Sequence, residues 1–319
     1  MKAFVTFLHI VISAAYLLCQ PVPATEENIP FMVTFGKDAP KSMGDDDFFQ
    51  IFFFVVPKSY SSNFYLRIFD PDCGGENDEV RGEFNTKSKF SIYGGTECYT
   101  NKDARDVERT GNYLSGNLLA SKIFDSDPKY DNTNYSFGPF NPSEGEYVKQ
   151  FDGFIFKIVA EGISGDDGNL YQYFFSSSAE KNSEIEGGNA FTYEYTFRLS
   201  DEAKHVSHIY PFIDDKVISI NIHNFDWDNE GYIRIISVSK NGVMCKLSNE
   251  ANWVESIFTV TENEKNSTFD IQMVKPESKA SKNNNGVIYV TNQYNELLPF
   301  YTSPIGGIPK YKYKIQINR

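Results

Sequence analysis

The sequence has little positive charge. Its 319 residues include 30 lysines and arginines against 43 aspartates and glutamates, which gives a formal net charge of −13 at pH 7. A surface that binds nucleic acid must be basic because it faces phosphates. The charge balance therefore argues against nucleic acid as a partner, and it is compatible with divalent cations or simply with solubility.

The residue patterns of several common catalytic sites are also missing. The sequence contains no Gly-x-Ser-x-Gly turn, no His-Glu-x-x-His zinc motif and no glycine-rich phosphate loop with a lysine. Of the four histidines, His205 and His208 are three residues apart, but they lie in a polar segment that we interpret as a linker. These absences favour a protein that is not an enzyme.

Long apolar runs are limited to one, from Ala3 to Leu18, directly after the positive charge of Lys2. It is short and lies at the N-terminus, which is typical of a signal peptide rather than a membrane span. With a cleavage site at Val22-Pro23-Ala24, we predict a signal peptide over residues 1–24. The expected location is secreted, periplasmic or cell-surface, with no transmembrane segment after the signal is removed.

Cysteine is scarce, with four in the chain. Cys19 lies in the signal region, where an alternative interpretation makes it a lipid anchor. Export makes disulfides possible, and Cys73 and Cys98 each follow a predicted strand in the same region, so we predict a disulfide between them. Two free thiols are the alternative, and Cys245 is expected to be a buried core thiol.

What the sequence does have is aromatic residues and alternating strands. It contains 28 Phe and 20 Tyr, and these residues favour strands. The segment FTYEYTFRL (191–199) alternates strictly between large apolar and polar residues, whereas FFQIFFFVV (48–56) is a nearly continuous apolar run, as expected of a strand covered on both faces. Glycine, asparagine, aspartate and proline clusters separate these segments. The pattern predicts an all-β protein built from antiparallel β-sandwiches.

The strand pattern pauses near residue 200, at the polar segment SDEAKHVSHIYPFIDD. We therefore predict two domains: a jelly-roll-like β-sandwich over 25–203 and an immunoglobulin-like β-sandwich over 204–319.

An acidic loop follows the strand FYLRIF, with the sequence DPDCGGENDE (70–79). Closely spaced carboxylate and amide oxygens on a glycine-bent loop are what calcium requires. We predict a structural calcium site there, to which the turn SGDDGN could contribute if it packs beside the loop; the candidate ligands are Asp70, Asp72, Asn77, Asp78, Asp166 and Asp167. The alternative is a solvated acidic loop without an ion.

Two aromatic residues are candidates for ligand binding, because exposed rings on β-sandwiches stack on sugars. Trp227 lies at an acidic turn where its ring could be exposed, and Tyr99 lies in a polar loop. The alternative for both is packing in the core or at its rim. Trp253, at the start of an apolar strand, is expected to be a core residue.

The signal peptide, the strand-rich segments and the loops RIFDPD and SGDDGN give residues 45–200 a resemblance to bacterial secreted β-sandwich modules of the pre-peptidase C-terminal type. The resemblance implies a jelly-roll-like accessory domain on an exported protein, of a kind that sometimes holds a structural calcium and sometimes binds polymers. This chain differs in having no recognisable enzyme domain beside it.

These observations together predict an exported, non-enzymatic β-sandwich protein that calcium stabilises. Its expected role is surface attachment, envelope structure or ligand binding, with a polysaccharide or another cell-envelope component as partner. The alternative is a carbohydrate-active enzyme that uses an acidic pair on a sandwich face.

Overall fold

The computed structural model describes residues 21–228, 231–275 and 284–313. These residues form β-strands and six short 3-10 helices, with no α-helix among them. No helix in the described ranges is long and apolar enough to cross a membrane. The predicted all-β, antiparallel β-sandwich class is confirmed.

The strands are short and follow one another throughout the described chain. In the first half they are β1 (Pro21–Val22), β2 (Phe31–Phe35), β3 (Phe49–Pro57), β4 (Phe64–Phe69), β5 (Lys87–Gly94), β6 (Asn117–Phe124), β7 (Asn134–Phe140), β8 (Glu146–Val148), β9 (Gly153–Ser164) and β10 (Gly168–Ser176). In the second half they are β11 (Asn189–Thr192), β12 (Glu194–Arg198), β13 (Val206–Ile209), β14 (Phe212–Ile213), β15 (Ser219–Phe225), β16 (Tyr232–Ile236), β17 (Asn241–Met244), β18 (Trp253–Thr259), β19 (Ser267–Thr268), β20 (Asp270–Val274), β21 (Asn285–Asn292) and β22 (Phe300–Tyr301). The 3-10 helices are Thr25–Glu27, Lys41–Met43, Lys102–Arg105, Pro142–Glu144, Lys149–Phe151 and Glu262–Glu264.

Two large antiparallel sheets form the sandwich. The nine-stranded sheet has the order β18-β15-β21-β12-β2-β10-β4-β7, with β1 beside β10. The seven-stranded sheet has the order β22-β11-β3-β9-β5-β6, with β8 beside β9. A four-stranded sheet (β13-β20-β16-β17) and the pair β14-β19 complete the described structure.

The main core lies between the large sheets and is rich in aromatic rings. Phe52 and Phe54 of β3 project into it, where Phe52 meets Tyr173 and Tyr195 edge to face at 5.8 and 5.3 Å between ring centroids. The alternate residues Ile51 and Phe53 belong to a second apolar cluster. Strand β3 is therefore covered on both faces, as its nearly continuous apolar sequence predicts.

The nine-stranded sheet continues across residue 203, where the sequence predicts a domain boundary. Strand β12, before this point, pairs with β21 over five residues, from Glu194–Tyr289 to Arg198–Asn285. Residues of the four-stranded sheet, including Ile233 and Ile271, belong to the same apolar cluster as the sandwich core. The predicted boundary therefore does not coincide with a break in the sheet or in the core.

The predicted signal peptide and its cleavage site concern residues at the start of the sequence. Residues 1–20 of the predicted signal peptide lie outside the described ranges. The last four residues of that segment are described, and Pro21–Val22 forms β1, which pairs with β10. The signal peptide and its cleavage site stay predictions.

Candidate metal centre

The acidic loop begins where β4 ends. Asp70 adopts a left-handed backbone conformation (φ 56°), and its amide donates a hydrogen bond to the Thr133 carbonyl at 2.9 Å. This turn takes the chain out of the sheet and places the loop beside the segment 125–133, which precedes β7. The loop therefore has a second acidic segment as its neighbour.

Three carboxylates converge at this junction. One oxygen each of Asp70, Asp72 and Asp131 lies within 4.8 Å of the others. Asp70 and Asp72 are 1% and 0% exposed, and Asp131 is half-buried. The structure thus brings together two of the predicted calcium ligands and adds a third carboxylate from 59 residues further along the chain than Asp72.

The two glycines of the loop explain how Asp131 comes so close. A Cβ atom on Gly75 would lie 3.0 Å from the Asp131 Cγ atom, and Gly75 has a left-handed φ of 77°. A Cβ atom on Gly74 would lie 2.9 Å from the Ser126 Oγ atom. The glycines therefore give the loop its bend and leave room for the opposite segment.

Both oxygens of Asp70 and one oxygen of Asp72 accept hydrogen bonds, but the other oxygen of Asp72 does not. Asp70 accepts from the Asn132 amide at 2.9 Å and from the Asn77 side chain at 2.6 Å. Asp72 Oδ2 accepts from the Asp127 amide at 2.9 Å. Asp72 Oδ1 is buried and has no hydrogen-bond partner in the described part of the chain. A buried carboxylate oxygen without a partner is costly, and a bound cation would satisfy it.

The pKa values reflect this crowding. Burial, followed by the charges of Asp131 and Asp70, raises the pKa of Asp72 to about 6. Burial also raises the pKa of Asp70. Both carboxyl groups are therefore harder to ionise than an ordinary aspartate, and a divalent cation would reverse that effect.

The other predicted ligands have different partners. Asp78 accepts hydrogen bonds from the backbone amides of Gly74 and Leu170, both at 2.6 Å, and burial raises its pKa to about 9. Asn77 uses its side chain to hold Asp70 in place. The structure therefore places Asp78 as an anchor of the loop backbone and Asn77 as a positioning residue.

Asp166 and Asp167 lie at a separate turn. Asp167 is fully buried and accepts from the backbone amides of Arg81, Asn85 and Thr86 at 2.7, 2.7 and 3.1 Å. Asp166 lies 3.6 Å from the Arg81 guanidinium. This turn packs against the end of the acidic loop through a bridge between Glu79 and Gly168, but its carboxylates are not part of the three-carboxylate cluster.

The predicted disulfide is wrong. Cys73 and Cys98 are both buried free thiols. Cys73 follows β4 of the nine-stranded sheet, whereas Cys98 follows β5 of the seven-stranded sheet and donates a hydrogen bond from Sγ to the Tyr93 carbonyl at 3.4 Å. Nearness in sequence did not reveal that the two strands belong to different sheets. Cys245 is a buried thiol, as expected.

Trp227 and Tyr99, the two candidates for ligand binding, are both buried, so the alternative of packing in the core or at its rim describes both rings. Trp227 is 2% exposed and belongs to the main core, whereas Trp253, expected in the core, is only partly buried. Tyr99 is 7% exposed, and its hydroxyl lies 3.0 Å from that of Tyr193. The Arg105 guanidinium lies over the Tyr99 ring at 5.2 Å. Tyr99 therefore contacts Tyr193 and Arg105, which both line a cleft.

This cleft has a volume of about 680 Å³. Its polar lining mixes donors and acceptors: Lys102, Arg105, Asp106, Glu108, Tyr193, Tyr289, Thr291, Asn295 and Glu296. Tyr289 stacks on His223 with centroids 4.3 Å apart and contacts Trp253 at 4.9 Å. The size is typical of a small-molecule site. The ring stack that supports Tyr289 was not apparent from the sequence because its members lie on three different strands.

Comparison with protein-family models and with curated proteins gave no match. The fold and the geometry of these sites therefore carry the functional argument.

Proposed function

We propose that this is an exported, non-enzymatic β-sandwich protein, stabilised by calcium, that serves in surface attachment, envelope structure or ligand binding. The observation that supports the calcium site best is the burial of Asp72 Oδ1 without a hydrogen-bond partner among the described residues. Asp72 is also close to two further carboxylates, Asp70 and Asp131. The ligands of this ion would be Asp70, Asp72 and Asp131. Calcium takes six to eight oxygens, so other oxygen donors would complete its shell.

The chemistry of the cleft favours a polyhydroxylated ligand such as a polysaccharide. Its lining holds two cationic and three anionic side chains together with neutral hydroxyl and amide groups. An anion would favour donors alone and a cation acceptors alone, whereas sugar hydroxyl groups both donate and accept. The half-buried ring of Tyr289 adds an apolar surface beside these groups.

Calcium binding is tested by thermal unfolding. A ligand that binds only the folded state at a hundredfold excess over its Kd stabilises it by about 2.7 kcal/mol. We expect EDTA to lower the Tm and calcium to restore it, and Asp72→Asn and Asp131→Asn each to abolish this response. Asp78→Asn should lower the Tm but keep the calcium response, because its carboxylate is bound to backbone amides.

The matched control is Asp215→Asn, which removes a carboxylate that is exposed on the surface. It should respond to calcium as the wild type does. A wild-type melting curve that is the same in EDTA and in millimolar calcium would refute the calcium site and leave the loop as an acidic turn.

Ligand binding is tested by retention on a panel of immobilised polysaccharides, with reducing ends assayed in the same samples. Retention without release would support a binding protein. Release of reducing ends would support the alternative, a carbohydrate-active enzyme. Replacing Tyr289 by Ala should weaken retention if the cleft is the binding site, while Tyr294→Ala, an exposed tyrosine outside the cleft, should not.

A further inference from the structure

The last four residues of the predicted signal peptide, 21–24, are part of the fold. Val22 and Ala24 are 0% and 1% exposed, and Pro23 between them is buried. Val22 belongs to the main core between the two large sheets. Removal of buried apolar side chains leaves a cavity and lowers stability. Cleavage after Ala24, which the sequence favours, would therefore take residues out of the core.

Strand β1 also completes the pairing of a strand inside the nine-stranded sheet. Strand β10 pairs with β4 along one side, over residues 172–176. Along the other side β2 pairs with residues 168–171, and β1 pairs with Tyr173 and Phe174, which are both buried. Without β1, these two residues would lose their strand partner on that side, and buried backbone groups without partners are costly. The fold therefore uses Pro21 and Val22 to close the sheet.

Ala24 joins this strand to the segment that follows. Its amide donates to Glu27 Oε2 at 2.6 Å, and its carbonyl accepts from the Glu27 amide at 3.0 Å. Glu27 is fully buried. Cleavage after Ala24 would remove this close donor, whereas the Tyr195 hydroxyl lies 3.4 Å from the same oxygen. Loss of a hydrogen bond to a buried carboxyl group is destabilising, so Ala24 belongs to the folded unit as well.

The preference of signal peptidases for small residues before the cleaved bond indicates a different bond, upstream of β1. Val22-x-Ala24 matches this pattern more closely than Leu17-x-Cys19, which is why the sequence alone favours cleavage after Ala24. Burial of residues 22–24 argues against that bond, and Cys19 is the one small residue between the apolar run and β1. The bond after Gln20 precedes a proline, which has a fixed ring and no N–H group. Cys19 and Gln20 lie outside the described ranges, so their sequence alone identifies the bond between them.

We propose that a signal peptidase hydrolyses the Cys19–Gln20 bond, so that the mature protein begins at Gln20 and keeps β1. Water supplies the hydroxyl group of the new Cys19 carboxyl end and the hydrogen of the new Gln20 amine. This inference rests on the proposed export. It also distinguishes the exported protein from a lipid-anchored one, because an anchored chain would keep Cys19 as its first residue.

Intact mass and peptide mapping of the exported protein test the bond. The full precursor is expressed in an exporting bacterial host, and the product is purified from outside the cytoplasm. We expect the mass of residues 20–319, or that mass less ammonia where the terminal glutamine has cyclised. A chain that begins at Thr25 would overturn the inference, and so would a lipid-modified chain that begins at Cys19.

Two proline variants form a matched pair, because a proline directly after the scissile bond blocks signal peptidase. Gln20→Pro should stop processing and leave the precursor at full length. Thr25→Pro should be processed as the wild type is. Thr25 is exposed and is the first residue of the 3-10 helix Thr25–Glu27, a position that accepts proline. Processing that Thr25→Pro stops and Gln20→Pro does not would place the bond after Ala24.

Stability measurements test the role of β1 without any processing. Chains that begin at Gln20, Pro21 and Thr25 are released from a cleavable tag and compared by thermal unfolding and amide hydrogen exchange. The first two should have the same Tm, whereas the chain from Thr25 should have a lower Tm and faster exchange in β10. Val22→Ala in the chain from Gln20 should lower the Tm to a smaller extent, which keeps the test valid if the shortest chain does not fold. Equal melting and equal exchange of all these chains would contradict the inference.

Failure of export has a different result from failure of this inference. A wild-type precursor that stays in the cytoplasm at full length would refute the proposed export together with the bond. Export with Thr25 as the first residue would refute the bond alone. Neither outcome alters the calcium response that tests the Asp70–Asp72–Asp131 cluster.

Discussion

At the scale of single residues, the fold buries ionisable groups whose hydrogen bonds are satisfied to different degrees. Lys157 is fully buried but donates to the carbonyls of Tyr113 and Ser115 at 2.6 and 2.8 Å, and burial lowers its pKa to about 8. Glu27 is also fully buried; its Oε2 accepts from the Ala24 amide at 2.6 Å, while Oε1 has no hydrogen-bond partner among the described residues. The lysine is thus satisfied and the glutamate only in part.

We predict that Glu27 makes stability fall as the pH rises. Burial raises its pKa from 4.5 to about 8 in the folded state. Between these values the unfolded chain has released the proton and the folded chain still holds it, so stability declines across this window. Each pKa unit corresponds to about 1.4 kcal/mol of unfolding free energy. Glutamine does not titrate, so the unfolding free energy of Glu27→Gln minus that of the wild type should be about 2 kcal/mol or more higher at pH 8 than at pH 5.

Urea denaturation of both proteins at pH 5 and pH 8 measures this difference. Other buried carboxyl groups also titrate in this range, so the comparison is between variant and wild type at each pH. Glu83→Gln, at an exposed position, should show no pH-dependent difference. An equal effect of Glu27→Gln at both pH values would contradict the prediction.

The candidate metal centre shows what a sequence reveals at the residue scale. Asp70 and Asp72 were predictable because they are close neighbours on one loop. Asp131 was not, because the turn that brings it to Gly75 depends on the pairing of β4 with β7. The burial of the two tryptophans was also not predictable: Trp227 is buried and Trp253 is only partly buried. The polar composition of a turn suggests that its side chains are exposed, but a turn residue can still pack into the core.

At the scale of elements, the alternating pattern predicted a β-strand structure but missed one break inside a segment. FTYEYTFRL was expected to be a single strand with one apolar face. The structure divides it at Tyr193 into β11 and β12, which belong to different sheets. Phe191 and Tyr193 pack in the second apolar cluster, with Ile51 and Phe53, whereas Tyr195 and Phe197 pack in the main core. Alternation alone cannot show this crossing, because both halves keep the same period.

Also at this scale, Asp167 holds a whole loop, and we predict a large cost for replacing it. Its carboxylate accepts three backbone amides from residues 81–86 in a fully buried position. Asp167→Asn loses the charge and points an N–H group at these donors, which should cost about 2–4 kcal/mol of unfolding free energy.

The neighbouring Asp166→Asn is the matched control for this experiment. Asp166 pairs with Arg81 at 3.6 Å on the surface, and such pairs contribute about 1 kcal/mol or less. Urea denaturation in EDTA should show the large loss for Asp167→Asn alone. A loss that appears only with calcium present would instead make Asp167 an ion ligand, as the sequence first suggested.

At the scale of the whole molecule, the large sheet joins the two halves of the chain. Strand β12 lies between β2 and β21, so backbone hydrogen bonds run from the first half into the second without a gap. The polar segment near residue 200 is a surface connection, and the nine-stranded sheet continues next to it through the pairing of β12 with β2 and β21. Composition reports the solvent exposure of a segment and carries no information about which strands pair across it.

We therefore predict that a fragment of residues 204–319 does not fold stably alone. It lacks β12, so β21 would become an unprotected edge next to the buried side chains Ile288 and Val290. Exposed apolar edges of this kind promote aggregation. A fragment of residues 189–319 is the matched comparison, because it restores the β12–β21 pairing and should be more soluble and better protected in amide hydrogen exchange. Cooperative melting of the 204–319 fragment, followed by tryptophan fluorescence, would show instead that the predicted second domain is autonomous.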